Sequence, residues 1–195
     1  MNPSRSESAP EGLLHQDYFA LFGLPPGFSL EPAALEAAWK VLQRAAHPDR
    51  FARADDAQKR LALQWSTRIN EAYAVLKDPL QRAEYLCGLW GVAIDAQSNT
   101  QMPVEFLETQ MMLREEFDDL QRMPQSPERQ VAIDRLRAIC SQQMAAGITE
   151  LTLLFDGVST EISSADDPAA VNRLQAAAMQ VRALMFVKKF QTELG

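Results

Sequence analysis

The stretch "LQRAAHPDRFARAD", from Leu42 to Asp55, decides the fold. A helical run of basic and apolar residues stops at His47-Pro48-Asp49, because proline disfavours helical geometry in the residue before it. A second helical run begins near Ala57, and two helices joined by so short a loop pack as an antiparallel hairpin. The tripeptide is then either an ordinary helix terminator or a contact loop at the tip of the hairpin.

Apolar residues recur at helical spacing along almost the whole chain, and no stretch of four or more residues alternates as a half-buried strand does. The sequence therefore predicts an all-α protein with two domains. The stretch "GVAIDAQSNTQMP" is polar and has no helical stripe, which indicates a linker at 92–102 between a domain at 15–91 and a bundle of three helices at 103–195. Residues 1–14 read as a polar, disordered tail. Gly147 leaves open whether the middle helix of the bundle, predicted from Pro127 to about Ile162, is broken.

Composition excludes several classes of protein. Hydrophobic residues make up 47% and charged residues 23% of the 195 residues, which is typical of a soluble globular protein. No apolar run approaches the roughly 20 residues that span a bilayer, and the N-terminus lacks a hydrophobic signal core, so we expect a cytoplasmic protein without a membrane partner. The net charge of −7 argues against nucleic acid as a partner.

Charge is distributed unevenly along the chain. Residues 37–53 hold four basic side chains against one acid, a net of +3, whereas residues 103–128 hold seven acids against two arginines, a net of −5. Two regions of opposite sign indicate two different partner surfaces.

No cofactor, metal site or catalytic centre is predicted. The two cysteines, Cys87 and Cys140, form no CxxC pair and lie on apolar helical stretches, so we expect buried thiols, and a zinc site needs about four ligands. His47 and Asp49 have the chemistry of a general base and its orienting acid, but no nucleophile or glycine-rich phosphate loop lies near them in sequence. We therefore expect a protein that is not an enzyme.

A loop tip fixed by proline, with an imidazole and a carboxylate, is instead a pre-organised hydrogen-bonding device. It can engage a partner's arginine and backbone groups, while Lys40, Arg44 and Arg50 attract an acidic groove.

The hairpin and "INEAYAVLKDPLQRAEYL" (69–86) resemble the J domain of DnaJ-type co-chaperones. More closely, "DYFALFGLP", "HPDRF" and "DPLQRAEYL", followed by "FLETQMMLREEFDDL", resemble the HscB family of J-protein co-chaperones of iron–sulfur cluster assembly. The resemblance extends from Asp17 to Leu194.

This resemblance implies a J domain at 15–91 and a client-binding three-helix bundle at 103–195, arranged as an L. It implies a protein that stimulates the ATPase of an HscA/DnaK-type chaperone and delivers the iron–sulfur scaffold protein IscU to it. The residues implied to contact the chaperone ATPase are His47, Pro48, Asp49, Lys40, Arg44 and Arg50. The residues implied to contact the scaffold are Leu107, Met111, Arg114, Glu115 and Phe186.

Helical periodicity also predicts two apolar faces on the first and last bundle helices. On the first, Phe106, Leu113, Phe117 and Leu120 form a core stripe, and Leu107 and Met111 project about 120° away from it. On the last helix, the second stripe is Met179, Ala183, Phe186 and Phe190. Either the second faces bind a client, or both helices are simply well buried.

Two other functions remain open. The first is a general J-domain co-chaperone for unfolded clients of a DnaK-type chaperone. Such proteins often carry a Gly/Phe-rich segment or zinc repeats, and this chain shows neither. The second is a helical interaction protein with a degenerate J-like region, which the intact tripeptide disfavours.

Overall fold

The computed structural model describes residues 16–51, 54–94, 102–156 and 168–195. Within these ranges the chain is helical and has no strand, which confirms the predicted all-α fold. The elements, in chain order, are α1 (Tyr18–Phe22), α2 (Pro32–Ala45), a 3₁₀ turn (Pro48–Phe51), α3 (Asp56–Lys77), α4 (Pro79–Leu89), α5 (Val104–Arg122), α6 (Pro127–Phe155) and α7 (Pro168–Glu193).

Four helices begin at side-chain caps, the first of them α1, where an Asp17 carboxylate oxygen accepts a hydrogen bond of 2.9 Å from the Ala20 amide. An Asp55 carboxylate oxygen accepts a hydrogen bond of 2.8 Å from the Gln58 amide at the start of α3. Asp78 accepts bonds of 2.9 and 3.1 Å from the first amides of α4. The Ser126 hydroxyl accepts one of 3.2 Å from the Arg129 amide in α6. These oxygens satisfy helix-terminal N–H groups that have no partner within the helix, which fixes where each helix starts.

The chain divides into two compact units, Met1–Arg82 and Ala83–Gly195. The division falls inside α4, so most of that helix belongs to the second unit, where the rings of Trp90 and Phe155 lie 5.7 Å apart. The bounds predicted from sequence, 15–91 and 103–195 with a linker at 92–102, stay a prediction, since 1–15 and 95–101 lie outside the described residues.

The first unit is built on the predicted hairpin of α2 and α3. Leu35 of α2 and Ile69 of α3 are both buried in its core, together with Phe19 of the short helix α1. Arg68 of α3 fixes the entry to α1, because its guanidinium donates to the carbonyl of Gln16 at 2.6 Å and lies over the Tyr18 ring. These contacts hold α1 against the hairpin, whose two helices are joined at one end by the 3₁₀ turn.

The second unit contains a helical bundle of α5, α6 and α7. Its core holds the predicted stripe of α5, whose Leu113, Phe117 and Leu120 are buried while Phe106 is partly buried. Gly147 does not break α6, which continues to Phe155. The predicted end of that helix, near residue 162, lies outside the described residues. No helix in the described ranges has both the length and the apolar character needed to cross a membrane.

Candidate functional site

The tripeptide predicted as a contact loop connects α2 to α3 through the 3₁₀ turn. The Arg50 amide donates to the His47 carbonyl at 3.0 Å, and the Asp49 amide donates to the imidazole Nδ1 of His47 at 3.3 Å. Nε2 of His47 has no hydrogen-bond partner among the described residues, so it is available to bond to another molecule.

The imidazole and the carboxylate of the loop are close to each other and open to solvent. Nδ1 of His47 lies 3.5 Å from an Asp49 carboxylate oxygen, and these side chains are 58% and 91% exposed. No group of three or more His, Cys, Asp or Glu side chains with the geometry of a metal site occurs in the described parts of the chain. The loop therefore presents an imidazole and a carboxylate together at the protein surface.

The basic residues before and after the loop differ in their pairing. Lys40 is joined to Glu36, one helical turn earlier, by an ion pair of 2.5 Å, and this bond and the lysine's charge lower the pKa of the Glu36 carboxyl. Arg44 and Arg50 are exposed and have no ion pair within the described ranges. The free positive charge beside the loop therefore belongs to the two arginines more than to Lys40.

A second cluster of predicted site residues lies on α5 and α7. Leu107 and Met111 on α5 are 36% and 61% exposed, and Phe186 on α7 is 36% exposed. The Phe186 ring meets the Phe106 ring edge-on, with centroids 6.5 Å apart, so that α5 supports its orientation. These three exposed side chains, Leu107, Met111 and Phe186, are called the apolar patch below.

The stripe predicted as the second face of the last helix is not a single surface. Met179 and Phe186 are exposed, but Ala183 is buried and Phe190 is fully buried. Phe190 packs edge-on against Phe117, with ring centroids 5.9 Å apart, inside the bundle core. Residues four positions apart differ by about 40° around a helix, and here that rotation separates a surface ring from a core ring.

Arg114 and Glu115, the two charged residues predicted to contact the scaffold, differ in their contacts within the protein. Glu115 is exposed and has no ion pair among the described residues. Arg114 bonds through its guanidinium to the Glu193 carboxylate at 2.6 Å and lies 5.1 Å above the centre of the Phe190 ring. Sequence reasoning missed Glu193, although it stands seven residues after Phe186 and therefore on the same face of α7.

The chain is similar to known proteins along most of its length. Residues 102–195 match the family model described as "HSCB C-terminal oligomerisation domain". The chain is 45% identical, over 183 residues, to a "Co-chaperone protein HscB homolog" of Burkholderia multivorans, and the match covers 93% of this chain and 94% of the relative.

Solved structures show the same fold. "Chaperone HscB from Vibrio cholerae" superposes with a TM-score of 0.71 at 31% identity, covering 92% of this chain and 95% of that one. Human co-chaperone protein HscB superposes with a TM-score of 0.78 over 100% of this chain and 92% of that one, and its 21% identity supports the fold alone. The chain therefore belongs to the HscB family of co-chaperones.

Proposed function

We propose that this protein stimulates ATP hydrolysis by an HscA/DnaK-type chaperone and delivers the iron–sulfur scaffold protein IscU to it in the cytoplasm. The observation that carries the proposal is the intact His47–Asp49 loop at the tip of the α2–α3 hairpin, in a chain that belongs to the HscB family. The protein acts as an activator and adaptor, and ATP is hydrolysed on the chaperone.

The loop supplies contacts of two kinds. Nε2 of His47 has no partner among the described residues and can form a hydrogen bond with the chaperone, and the Asp49 carboxylate can accept a bidentate bond from an arginine of the chaperone. Arg44 and Arg50 attract an acidic groove, which raises the association rate and orients the encounter. The 3₁₀ turn restrains the backbone of the loop, which reduces the entropy lost on binding.

The apolar patch supplies the client contact. The patch residues lie on two helices that are in contact through Phe106 and Phe186. Grouped exposed apolar side chains are a feature of interaction surfaces, whereas scattered single ones are ordinary. Neighbouring Glu115 and Arg114 add charge at the margin of the patch. A dedicated scaffold is favoured over unfolded clients, because one fixed patch with a charged margin recognises one complementary surface.

The loop is tested by replacing His47 with Gln. Glutamine keeps the side-chain length but cannot reproduce the ring's geometry beside Asp49. A hydrogen bond that involves charged groups contributes about 1.5–3 kcal/mol. We therefore expect stimulation of the cognate chaperone's steady-state ATPase to fall about tenfold to a hundredfold.

A matched control for this variant is Gln58→Ala, which changes an exposed residue at the start of α3 and should leave stimulation unchanged. The wild-type protein should stimulate further when the scaffold is added. If added scaffold does not increase the ATPase stimulation, the result would support the general J-protein function instead. If the wild type and His47→Gln stimulate the ATPase equally, the tripeptide only terminates a helix and does not contact the chaperone.

The patch is tested by replacing Leu107, Met111 and Phe186 together with Ala. Since central apolar side chains of an interface each contribute about 1 kcal/mol or more, we expect the dissociation constant for the scaffold to rise about a hundredfold or more. Isothermal titration calorimetry measures the affinity, and thermal unfolding by circular dichroism measures the fold.

The control is the triple variant Met123→Ala, Val131→Ala and Leu153→Ala, which removes exposed apolar side chains elsewhere on the bundle. It should bind the scaffold as the wild type does. If the patch variant unfolds, the three native side chains stabilise the bundle core, and the assignment of the client surface is wrong. If it folds and binds with unchanged affinity, the client surface lies elsewhere.

A further inference from the structure

Arg114 and Glu193 extend the apolar patch by two helical turns. Arg114 follows Leu107 by seven residues on α5, and Glu193 follows Phe186 by seven on α7, so each continues the same face of its helix. The ring pairs Phe106–Phe186 and Phe117–Phe190 show that the two helices run side by side in the same direction. The ion pair therefore bridges the same two helices that carry the patch.

The guanidinium of Arg114 is held from two sides. Glu193 accepts its hydrogen bond at 2.6 Å, and the Phe190 ring lies below it at 5.1 Å. Both charged side chains are 38% exposed, so the pair is partly withdrawn from water before any partner arrives. Next to it, Phe117, Asp118 and Gln121 complete the walls of a cavity of about 410 Å³, where an unpaired arginine has room to turn away.

We infer that Glu193 is a positioning residue for client binding: it holds the Arg114 guanidinium at the margin of the apolar patch and neutralises its charge there. A partner that covers the patch also covers this margin. Covering an unpaired guanidinium removes it from water without compensation, whereas covering a guanidinium already bonded to a carboxylate costs much less. Glu193 also reduces the number of conformations that Arg114 loses on binding. This inference rests on the proposed function, because it assigns Glu193 to the same client surface.

Glu193→Gln tests the role, since it removes the charge and keeps the shape. We expect the dissociation constant for the cognate IscU-type scaffold to rise about threefold to tenfold, and the melting temperature to stay near that of the wild type, because an exposed ion pair adds little to stability. The matched control is Glu116→Gln, which breaks an ion pair with Arg135 on the other side of α5. It should leave scaffold affinity unchanged.

A double-mutant cycle separates positioning from direct contact. If Glu193 acts through Arg114, Glu193→Gln should weaken binding in the wild type and have no further effect once Arg114 is replaced by Met. Equal losses in both backgrounds would mean that Glu193 touches the scaffold itself and would overturn the inference.

The remaining outcomes separate this inference from the proposed function. If Glu193→Gln binds the scaffold with unchanged affinity while the patch variant binds it more weakly, the role of Glu193 is overturned and the client surface is still supported. Unchanged affinity for both variants would overturn the client surface and the role of Glu193 together. NMR of the Arg114 Nη–H protons in the free protein gives a second readout, because Nη1 donates to the Glu193 carboxylate. Faster proton exchange is expected in Glu193→Gln, and an unchanged rate would contradict the holding contact.

Discussion

Replacing Gly147 with Val is expected to lower the free energy of unfolding of the second unit by about 2–3 kcal/mol, as over-packing of a closed helix contact does. A Cβ atom at this position would overlap with Cδ2 of Leu184, and it would lie 3.0 Å from Cδ1 of Leu184 and 2.7 Å from Nε2 of Gln180. Leu184 is only 2% exposed, so its side chain has little room to move away. Either α6 and α7 must then move apart, or the side chains of Leu184 and Gln180 must leave their favoured rotamers.

The measurement is chemical and thermal unfolding, in which a loss of this size shifts the melting temperature by roughly 10 °C for a unit of about a hundred residues. Ala146→Val is the matched control, because Ala146 is the exposed neighbour on the same helix. Valine at this position affects stability only through its lower helix propensity. We expect that control to lose about 0.5 kcal/mol. Similar losses in both variants would show that the contact at Gly147 can relax.

Features that depend on local sequence were predicted well. The hairpin and its turn follow from the effect of proline on the preceding residue, and α6 begins at Pro127 as predicted. The core stripe of α5 follows from its periodicity. The pairing of Lys40 with Glu36 also had a local signal, since an acid four residues before a lysine is a stabilising pair on a helix.

Features that depend on packing between distant segments were not predicted. Phe186 and Phe190 belong to one stripe by periodicity, and only the position of α5 determines which ring is covered. The partner of Arg114 lies 79 residues away along the chain, beyond any spacing rule. Gly147 fits both a helix break and a close helix contact, because the same absence of a side chain permits each.

The thiol of Cys87 is expected to make the second unit sensitive to alkali. Cys87 is fully buried in α4, and this burial, followed by the nearby charge of Glu84, raises its pKa from 9.0 to about 12, although Arg182 lowers it slightly. Below pH 9 the thiol is protonated in the folded and the unfolded chain alike, so stability does not depend on it. Above pH 9 the unfolded chain releases the proton and the folded protein keeps it.

Stability is therefore lost as the pH rises from about 9 to about 12, because ionisation favours the unfolded state over this window. Each pKa unit corresponds to about 1.36 kcal/mol, so the full window corresponds to about 4 kcal/mol. Urea unfolding at several pH values between about 8 and about 11 measures the loss, and the ultraviolet absorbance of the thiolate reports the ionisation directly.

Lysines and tyrosines also titrate in this range, so the comparison with Cys87→Ala isolates the thiol. The alanine variant loses packing at every pH, which lowers its whole stability curve, but it has no proton to release at position 87. Its stability should therefore fall less steeply than that of the wild type between pH 9 and pH 11. If the two curves run parallel, the folded protein ionises Cys87 as readily as the unfolded chain does, and water must reach the thiol despite its burial beside Leu86.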